Sequence, residues 1–327
     1  MTVLVTGCFG FIGYNFLNFL DSKNVNFIGV DSLVSNSSKI LYEGYSSKDK
    51  IFIFDISDSN QLDKLKTIKI DSIVNFAAET HVDNSIFNPS SFIKSNILGV
   101  TELLTFAKKN NISNFVHIST DEVYGSTKDK FFQEDSQFNP SSPYSASKAS
   151  AELICNSFIK TYDMNIKIVR PSNNYGPFQQ PEKLIPFSIA NLLNNKSIEI
   201  YADGNQVRHW LHVEDTCSGV FEVLSKGKSG EAYNIGSGEY LKNIEVANSI
   251  LKSLDLDSSL IDYVADRPGH DFRYAIDFQK IKQLGWTPNK KFDEELPKTI
   301  NWYKANLNLW EMDYNEIIEK RKKRLGL

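Results

Sequence analysis

Cysteine is scarce in this chain: Cys8, Cys155 and Cys217 are the only three among 327 residues. They are far apart and odd in number, which excludes a disulfide framework and makes a reducing cytoplasm the expected setting. Histidine is nearly as rare, with five residues. None of them is spaced with a cysteine or an acid as metal ligands are, so no metal site is expected. No apolar run reaches the length of a membrane span. The opening MTVLVTG lacks a basic n-region and reads as a strand, not as a signal peptide. No basic run precedes EKRKKRLGL at residues 319–327, which reads as a solvated helix end, and the net charge is only −4. A nucleic-acid footprint is therefore not expected. Low-complexity linkers and internal repeats are absent as well. What remains is a globular composition, long enough for two domains or for one domain with a lobe.

The first motif lies at the start. VLVTGCFGFIGYNFLNFL gives an apolar strand, then Gly7, Gly10 and Gly13, then a helical run with Phe16, Leu17 and Leu20 on one face. Gly7 permits a tight turn, Gly10 lets backbone N–H groups approach a pyrophosphate, and Gly13 lets the helix pack close to the sheet. The next strand, NFIGVD, ends at Asp31, 18 residues past Gly13. A carboxylate there accepts hydrogen bonds from an adenosine ribose and repels a 2′-phosphate, which favours NAD over NADP. Further short apolar runs follow at residues 50–58, 71–79, 114–122 and 164–172, with helix-compatible stretches between them. The pattern predicts an α/β fold, a Rossmann-type doubly wound parallel sheet with a smaller mixed α/β lobe. Ligands of such sheets bind beyond the carboxyl ends of strands. ISTDEVYGS at residues 118–126 and AAETH at residues 77–81 lie at two such ends.

Tyr144 and Lys148 of YSASK stand four apart and so share a helix face. A tyrosine that removes a proton from a sugar hydroxyl needs a lowered pKa, and a nearby ammonium supplies it. In STDE, Asp121 and Glu122 follow Thr120 directly, and on an extended segment they point to opposite faces.

Together these residues resemble the extended short-chain dehydrogenase/reductase family. The motifs AAETHVDNSI, STDEVYG, YSASKA, RPSNNYGPFQQPEKLIP, VRHWLHVEDT, YNIGSG and DRPGHDFRYAID carry the resemblance through residue 300 or so. In that order they are similar to the nucleotide-sugar 4,6-dehydratases, above all the dTDP-glucose type. The resemblance implies a resident NAD that is regenerated each turnover, and a nucleotide-sugar substrate. Tyr144 is then the base at the C4 hydroxyl, positioned by Thr120, with Lys148 beside it. Glu122 takes the C5 proton and Asp121 protonates the departing C6 hydroxyl, which requires a raised pKa at Asp121.

The resemblance places Gly7, Gly10, Phe11, Ile12, Gly13 and Asp31 against the cofactor. Asp55, Ile56, Ala77, Ala78, Ser95 and Asn174 join them from later segments, with Tyr144 and Lys148. On the substrate side it implies Thr80, Asn173, Lys183, Leu184 and Tyr201, with Arg208 and Arg267 clamping the diphosphate and Asn234 and His270 completing the wall. Helices at residues 91–109 and 144–161 resemble those that pair in a homodimer of this family, although Phe92, Leu103, Leu104 and Phe106 fit a sheet-facing core equally well. The domain division expected is 1–171 with about 211–236 for NAD, and 172–210 with about 237–327 for the nucleotide sugar.

Some positions depart from the pattern. Cys8 and Phe9 add bulk that the motif places beside the pyrophosphate. Thr80, Asn84 and His209 replace the usual Ser, Arg and Asp, and His209 reads as packing or as part of a lobe loop. The alternatives are a 4,6-dehydratase of UDP-glucose or another sugar nucleotide, a 4-epimerase, and a non-catalytic NAD-binding scaffold.

Overall fold

A computed structural model describes residues 1–266 and 269–325. The strands in chain order are β1 (Thr2–Thr6), β2 (Asn26–Asp31), β3 (Ile51–Ile53), β4 (Ser72–Asn75), β5 (Phe115–Ile118) and β6 (Ile166–Pro171). After them come β7 (Asn173–Tyr175), β8 (Ile198–Tyr201), β9 (Val207–His212), β10 (Ala232–Ile235), β11 (Glu239–Lys242) and β12 (Ile261–Val264). Seven of them form one sheet in the order β10-β6-β5-β4-β1-β2-β3, with every pair parallel.

The period of two along each strand decides which helix covers which face. Val3, Val5, Val74, Val116, Ile118 and Val169 enter one core with Phe16, Leu17 and Leu20 of the helix Phe11–Ser22 and with Val220, Val223 and Leu224 of the helix Val213–Lys226. Leu4, Ile73, Phe115, Ile166 and Ile168 enter the other. There they meet Leu103, Leu104 and Phe106 of the helix Gly99–Lys109 and Ala151 and Cys155 of the helix Pro143–Tyr162. Apolar strands buried on both faces are what a parallel sheet requires. Strand order reverses between β1 and β4, which opens a crevice at their carboxyl ends.

The helix expected over residues 91–109 is not continuous. A short helix, Pro89–Phe92, passes into a π-helical segment, Ile93–Leu98, before the α-helix Gly99–Lys109. The widened turn carries Asn96, which is fully buried. Its amide accepts from Glu79 N at 2.8 Å and donates to Glu79 O at 3.0 Å and Ser147 Oγ at 2.8 Å. A π-bulge at such a crossing is a frequent functional device. Here it stitches the end of β4 to the helix Pro143–Tyr162.

A separate core gathers Tyr175, Ile189, Ile198, Trp210, Val246, Ile300 and Tyr303 around the smaller sheets β11-β9-β7 and β12-β8. The last helix, Glu311–Leu325, bridges the two cores. Tyr314 sinks into the smaller core and donates to Asn191 Oδ1 at 2.9 Å. Its neighbour Asp313 accepts from Asn36 N and Ser37 N, both at 2.9 Å, at the start of the helix Asn36–Gly44. A carboxylate suits that end, where backbone donors lack helical partners.

Candidate active site

Thr120 sits just past β5 and caps a 3-10 turn, Asp121–Tyr124, by accepting from Glu122 N at 3.2 Å. This corrects the expectation that the two acids lie on an extended segment and face opposite ways: the cap bends the chain at Asp121. Asp121 is 3% exposed and its Oδ2 has no hydrogen-bond partner. Burial first, then the Glu122 charge, hold its carboxyl well above the usual carboxylate range, against the opposing pull of Arg208. Glu122 is partly buried, with Oε2 3.5 Å from the Tyr274 hydroxyl.

Tyr144 opens the helix Pro143–Tyr162, whose start is fixed by Pro143 and a capping box between Ser142 and Ser145. Its phenol hydrogen-bonds Thr120 and feels the Glu122 charge. One turn on, the Lys148 ammonium is 3% exposed and donates to Ile118 O at 2.6 Å. The expected lowering of the Tyr144 phenol by Lys148 is not what the protein shows. Burial and then Glu122 push the phenol up, and the Thr120 hydrogen bond is the influence that lowers it. Lys148 itself is lowered to about 8 by burial, with Glu152 opposing. Thr120, Asp121, Glu122, Tyr144 and Lys148 thus converge at the carboxyl end of β5.

The glycine loop lies against the end of β4. Gly7 has φ +64°, and a Cβ there would sit 2.6 Å from Ala77 N; a Cβ on Gly13 would sit 2.1 Å from Gly7 O. Asp31 accepts from Phe9 N and Leu33 N, both at 2.8 Å. This cradle of close backbone packing, which a side chain at Gly7 or Gly13 would push apart, and the buried acceptor behind it fit a dinucleotide. Phe11 and Ile12 open the helix behind the loop, half-buried. Ala78 follows Ala77 at the crevice, and Ser95 is half-buried in the π-helical segment. Asp55 accepts from Ser57 N at 2.9 Å and pairs with Lys94 at 3.1 Å, while Ile56 is buried beneath Gly99.

Cys8 and Phe9 do not crowd the cradle. Both are fully buried on the core side, where Phe9 packs against Tyr14, Tyr42 and Tyr45 with ring centres 5.6–5.8 Å away. The added bulk therefore fills the core and not the cradle.

Across the crevice, Arg208 donates to Asp271 O and Val207 O, each at 2.9 Å, and its guanidinium lies 4.2 Å from the centre of the Tyr274 ring. Lys183 reaches the carbonyl of exposed Thr80 at 2.8 Å and lies 3.5 Å from Glu182, and Leu184 begins the helix Leu184–Leu193. Tyr201 donates to Asp83 Oδ2 at 3.3 Å and stands edge-on to the His270 ring, while His270 pairs with Asp266 at 2.6 Å. Asn173 has a buried Oδ1 with no partner, the mark of an acceptor left for a ligand. Asn174 gives Nδ2 to Ser172 O at 2.8 Å and accepts from Thr216, so much of its amide is already engaged. Arg267 lies outside the described residues.

Asn234 is a correction. It is fully buried on β10, accepting from Tyr124 OH at 2.8 Å and donating to Asp277 O at 2.9 Å and Phe132 O at 3.2 Å. A saturated internal amide has nothing to offer a substrate wall. His209 is buried packing: its Nε2 accepts from Ser237 N at 2.9 Å and Gly238 N at 2.7 Å, and burial lowers its pKa to about 3. The imidazole is thus neutral and replaces a carboxylate as an acceptor for backbone N–H.

Sequence reasoning missed Asp271 and Tyr274, although both lie inside DRPGHDFRYAID. Tyr274 OH donates to Asp271 Oδ2 at 2.8 Å and meets Glu122. That meeting depends on residues 272–277 folding back along residues 126–132, as in Phe132 N to Ala275 O at 2.9 Å. No local spacing signals it.

The profile of the family described as GDP-mannose 4,6 dehydratase matches residues 4–299. The chain belongs to this family. Within the GDP-mannose 4,6 dehydratase family, it is 41% identical over 318 residues to a dTDP-glucose 4,6-dehydratase of Streptomyces antibioticus, covering 95% of each chain. It is 43% identical over 306 residues to the low-salt glycan biosynthesis protein Agl12 of Haloferax volcanii, covering 93% of this chain and 98% of that one. The crystal structure of DesIV, a dTDP-glucose 4,6-dehydratase from Streptomyces venezuelae with NAD and a second ligand bound, superposes with a TM-score of 0.90 at 40% identity, covering 96% of this chain and all of that one.

The burial of Asp121 has a stability consequence. Its pKa in the folded protein is raised above the unfolded value of about 3.9. Its contribution to stability is therefore full below that pH and is lost as pH rises through the folded pKa. Asp121→Asn is expected to raise the melting midpoint at neutral pH by about 2 °C or more. The gain should shrink toward acid. Calorimetry across pH checks it, and a lower midpoint at neutral pH would refute it.

Proposed function

We propose that this protein is an NAD-dependent dTDP-glucose 4,6-dehydratase, a hydro-lyase that converts dTDP-glucose to dTDP-4-keto-6-deoxyglucose and water. The observation that carries the reading is the buried, high-pKa Asp121 beside Glu122, within one cluster with Tyr144. Bound NAD supplies the hydride chemistry, accepting hydride from C4 and returning it to C6. The glycine loop and Asp31 would hold it. Tyr144 must act as the phenolate to take the C4 hydroxyl proton while Thr120 orients that hydroxyl, and the Lys148 ammonium one helix turn away is the positive charge that would oppose the push of burial on the phenol. Once C4 is a ketone the C5 proton is acidic, and Glu122 removes it, to give a proton back to C5 when hydride reaches C6. Asp121, whose burial favours the protonated form, gives its proton to the C6 hydroxyl, which departs as water. Environment thus divides two adjacent carboxyls into acid and base. Arg208 and Arg267 clamp the diphosphate, and Asn173 offers its vacant Oδ1 to the sugar nucleotide.

Incubating the protein with dTDP-glucose and, separately, UDP-glucose tests this reading by mass spectrometry and NMR. Loss of one water with a new 4-keto, 6-methyl sugar from the dTDP donor is expected. An unchanged mass with inverted C4 would mean a 4-epimerase instead.

The same reading makes the smaller core with its flanking segments the nucleotide-sugar lobe, and the cytoplasm the place of action. All three cysteines are free and buried, in keeping with a reducing compartment. It also makes the protein a homodimer. Ile93 is 55% exposed and Leu153 60% exposed, on two helical segments that pack side by side. Light scattering should give twice the 37.1 kDa chain mass, and Leu153→Glu should reduce it toward one. A wild-type mass of one chain would reject the dimer.

A further inference from the structure

We propose that the buried ion pair Glu152–Arg170, with Tyr124, is a positioning device for the reaction. It ties the turn that carries Asp121 and Glu122 to the helix that carries Tyr144 and Lys148, and it supplies Lys148 with its counter-charge. This rests on the roles given to those four residues above.

Glu152 stands one turn beyond Lys148 on the same helix face, with its side chain 0% exposed. Arg170, near the end of β6, grips it through Nε at 3.0 and 3.1 Å and Nη2 at 2.6 Å. The remaining guanidinium donors go elsewhere: Nη1 binds the Tyr124 hydroxyl and Glu134 O at 2.8 Å. The guanidinium also lies 4.9 Å from the centre of the Tyr124 ring. Tyr124 is the last residue of the catalytic turn, and its hydroxyl passes the contact on to Asn234 of β10 at 2.8 Å. One guanidinium thus joins the Tyr144 helix, β6, the acid–base turn and, through Tyr124, the sheet edge.

A buried ion pair is poor evidence of stability, because well-packed apolar residues serve as well or better. Its value here is geometric and electrostatic. The elimination needs Glu122 and Asp121 held in register with the sugar that Tyr144 has oxidised, and small displacements between such groups are costly. Arg170 fixes the place of the Glu152 carboxylate, and Glu152 opposes the loss of the Lys148 proton. The other groups that face Lys148 are Cys155 on its own helix and His117 from β5. His117 is held neutral by burial and by the Lys148 charge. Neither of these can replace a carboxylate.

Two variants separate the arms. Glu152→Gln keeps an acceptor for Arg170 but removes the charge, and Tyr124→Phe keeps the ring but cuts the link to the turn. NMR of nitrogen-labelled lysine reads the Lys148 titration directly in NAD-loaded protein. In Glu152→Gln its midpoint should fall by about one pH unit or more, since an opposite charge at this range shifts a pKa by that much. The alkaline limb of C4 oxidation should move to lower pH with it. In Tyr124→Phe the oxidation should keep its pH profile while elimination slows at least tenfold, so that enzyme-bound NADH accumulates in a single turnover. A residue that merely stabilised the fold would depress both steps alike and leave the titration in place. An unchanged Lys148 midpoint in Glu152→Gln, or equal loss of both steps in Tyr124→Phe, overturns the proposal. Failure of the wild type to turn over dTDP-glucose would sink the proposed function instead, and the lysine titration would still decide the electrostatic claim.

Discussion

Glu122→Gln should trap the reaction half-way. Tyr144, Thr120 and Lys148 are untouched, so the C4 hydroxyl is still oxidised and the nicotinamide is still reduced. The C5 proton then has no base, and turnover falls by roughly 10²–10⁴, the usual worth of a positioned general base. Enzyme-bound NADH accumulates to a large fraction of the sites. Tyr144→Phe removes the base for the first step, and almost no NADH forms. Both variants keep the buried packing of the wild type, so their difference reads chemistry and not folding. Stopped-flow absorbance of the reduced nicotinamide measures it. Equal loss of NADH in the two variants would refute the division of labour between Glu122 and Tyr144.

The second large effect lies at Gly13. A methyl group there meets Gly7 O at 2.1 Å, Gly7 C at 2.9 Å and Cys8 Cα at 3.1 Å. All three are backbone atoms of the cradle, so no side-chain rotation relieves the overlap. Gly13→Ala is expected to push the helix Phe11–Ser22 off the sheet, destabilise the fold by on the order of 3 kcal/mol and strip NAD from the purified protein. Gly44, at the end of the helix Asn36–Gly44, is the control, because beyond its chain neighbours and its own helix backbone no atom lies within 4 Å of its added Cβ. Gly44→Ala should keep full cofactor content and gain up to ~0.5 kcal/mol from helix propensity. Absorbance of released nucleotide and denaturant titration decide the matter, and an NAD-replete Gly13→Ala would refute it.

Features encoded over short spacings were legible in the sequence. The glycine loop, the strand ends at Asp31 and Thr120, and the four-residue step from Tyr144 to Lys148 all depend on chain-local geometry. Continuous apolar strands alternating with helices also foretold two buried faces, and Leu103, Leu104 and Phe106 prove to be sheet-facing core. What was not legible depends on distant partners. The backbone N–H of Glu122 turns to the Thr120 hydroxyl and converts an extended run into a 3-10 turn, a competition that propensity does not resolve. Asn234 looked available until Tyr124 and the carbonyls of Phe132 and Asp277 were seen to take its amide. Cys8 and Phe9 looked obstructive because their side chains had no visible direction, and the aromatic pocket behind the loop absorbs them. The upward push on the Tyr144 phenol comes from burial together with Glu122, 22 positions away along the chain.

The last strand of the large sheet, β10, comes from residues 232–235, and the start of the helix Asn36–Gly44 is capped by Asp313. During synthesis the first six strands therefore leave the ribosome with the β6 edge unpaired, and the helix after Asp31 has its Ser35 cap but not yet the Asp313 carboxylate. An open parallel edge invites pairing with another chain. Some sixty further residues must emerge before β10 can close that edge, and most of the protein before Asp313 arrives. A nascent chain arrested in that interval exposes a sticky strand, so the order of translation, more than the final stability, sets the window in which this protein is exposed to aggregation.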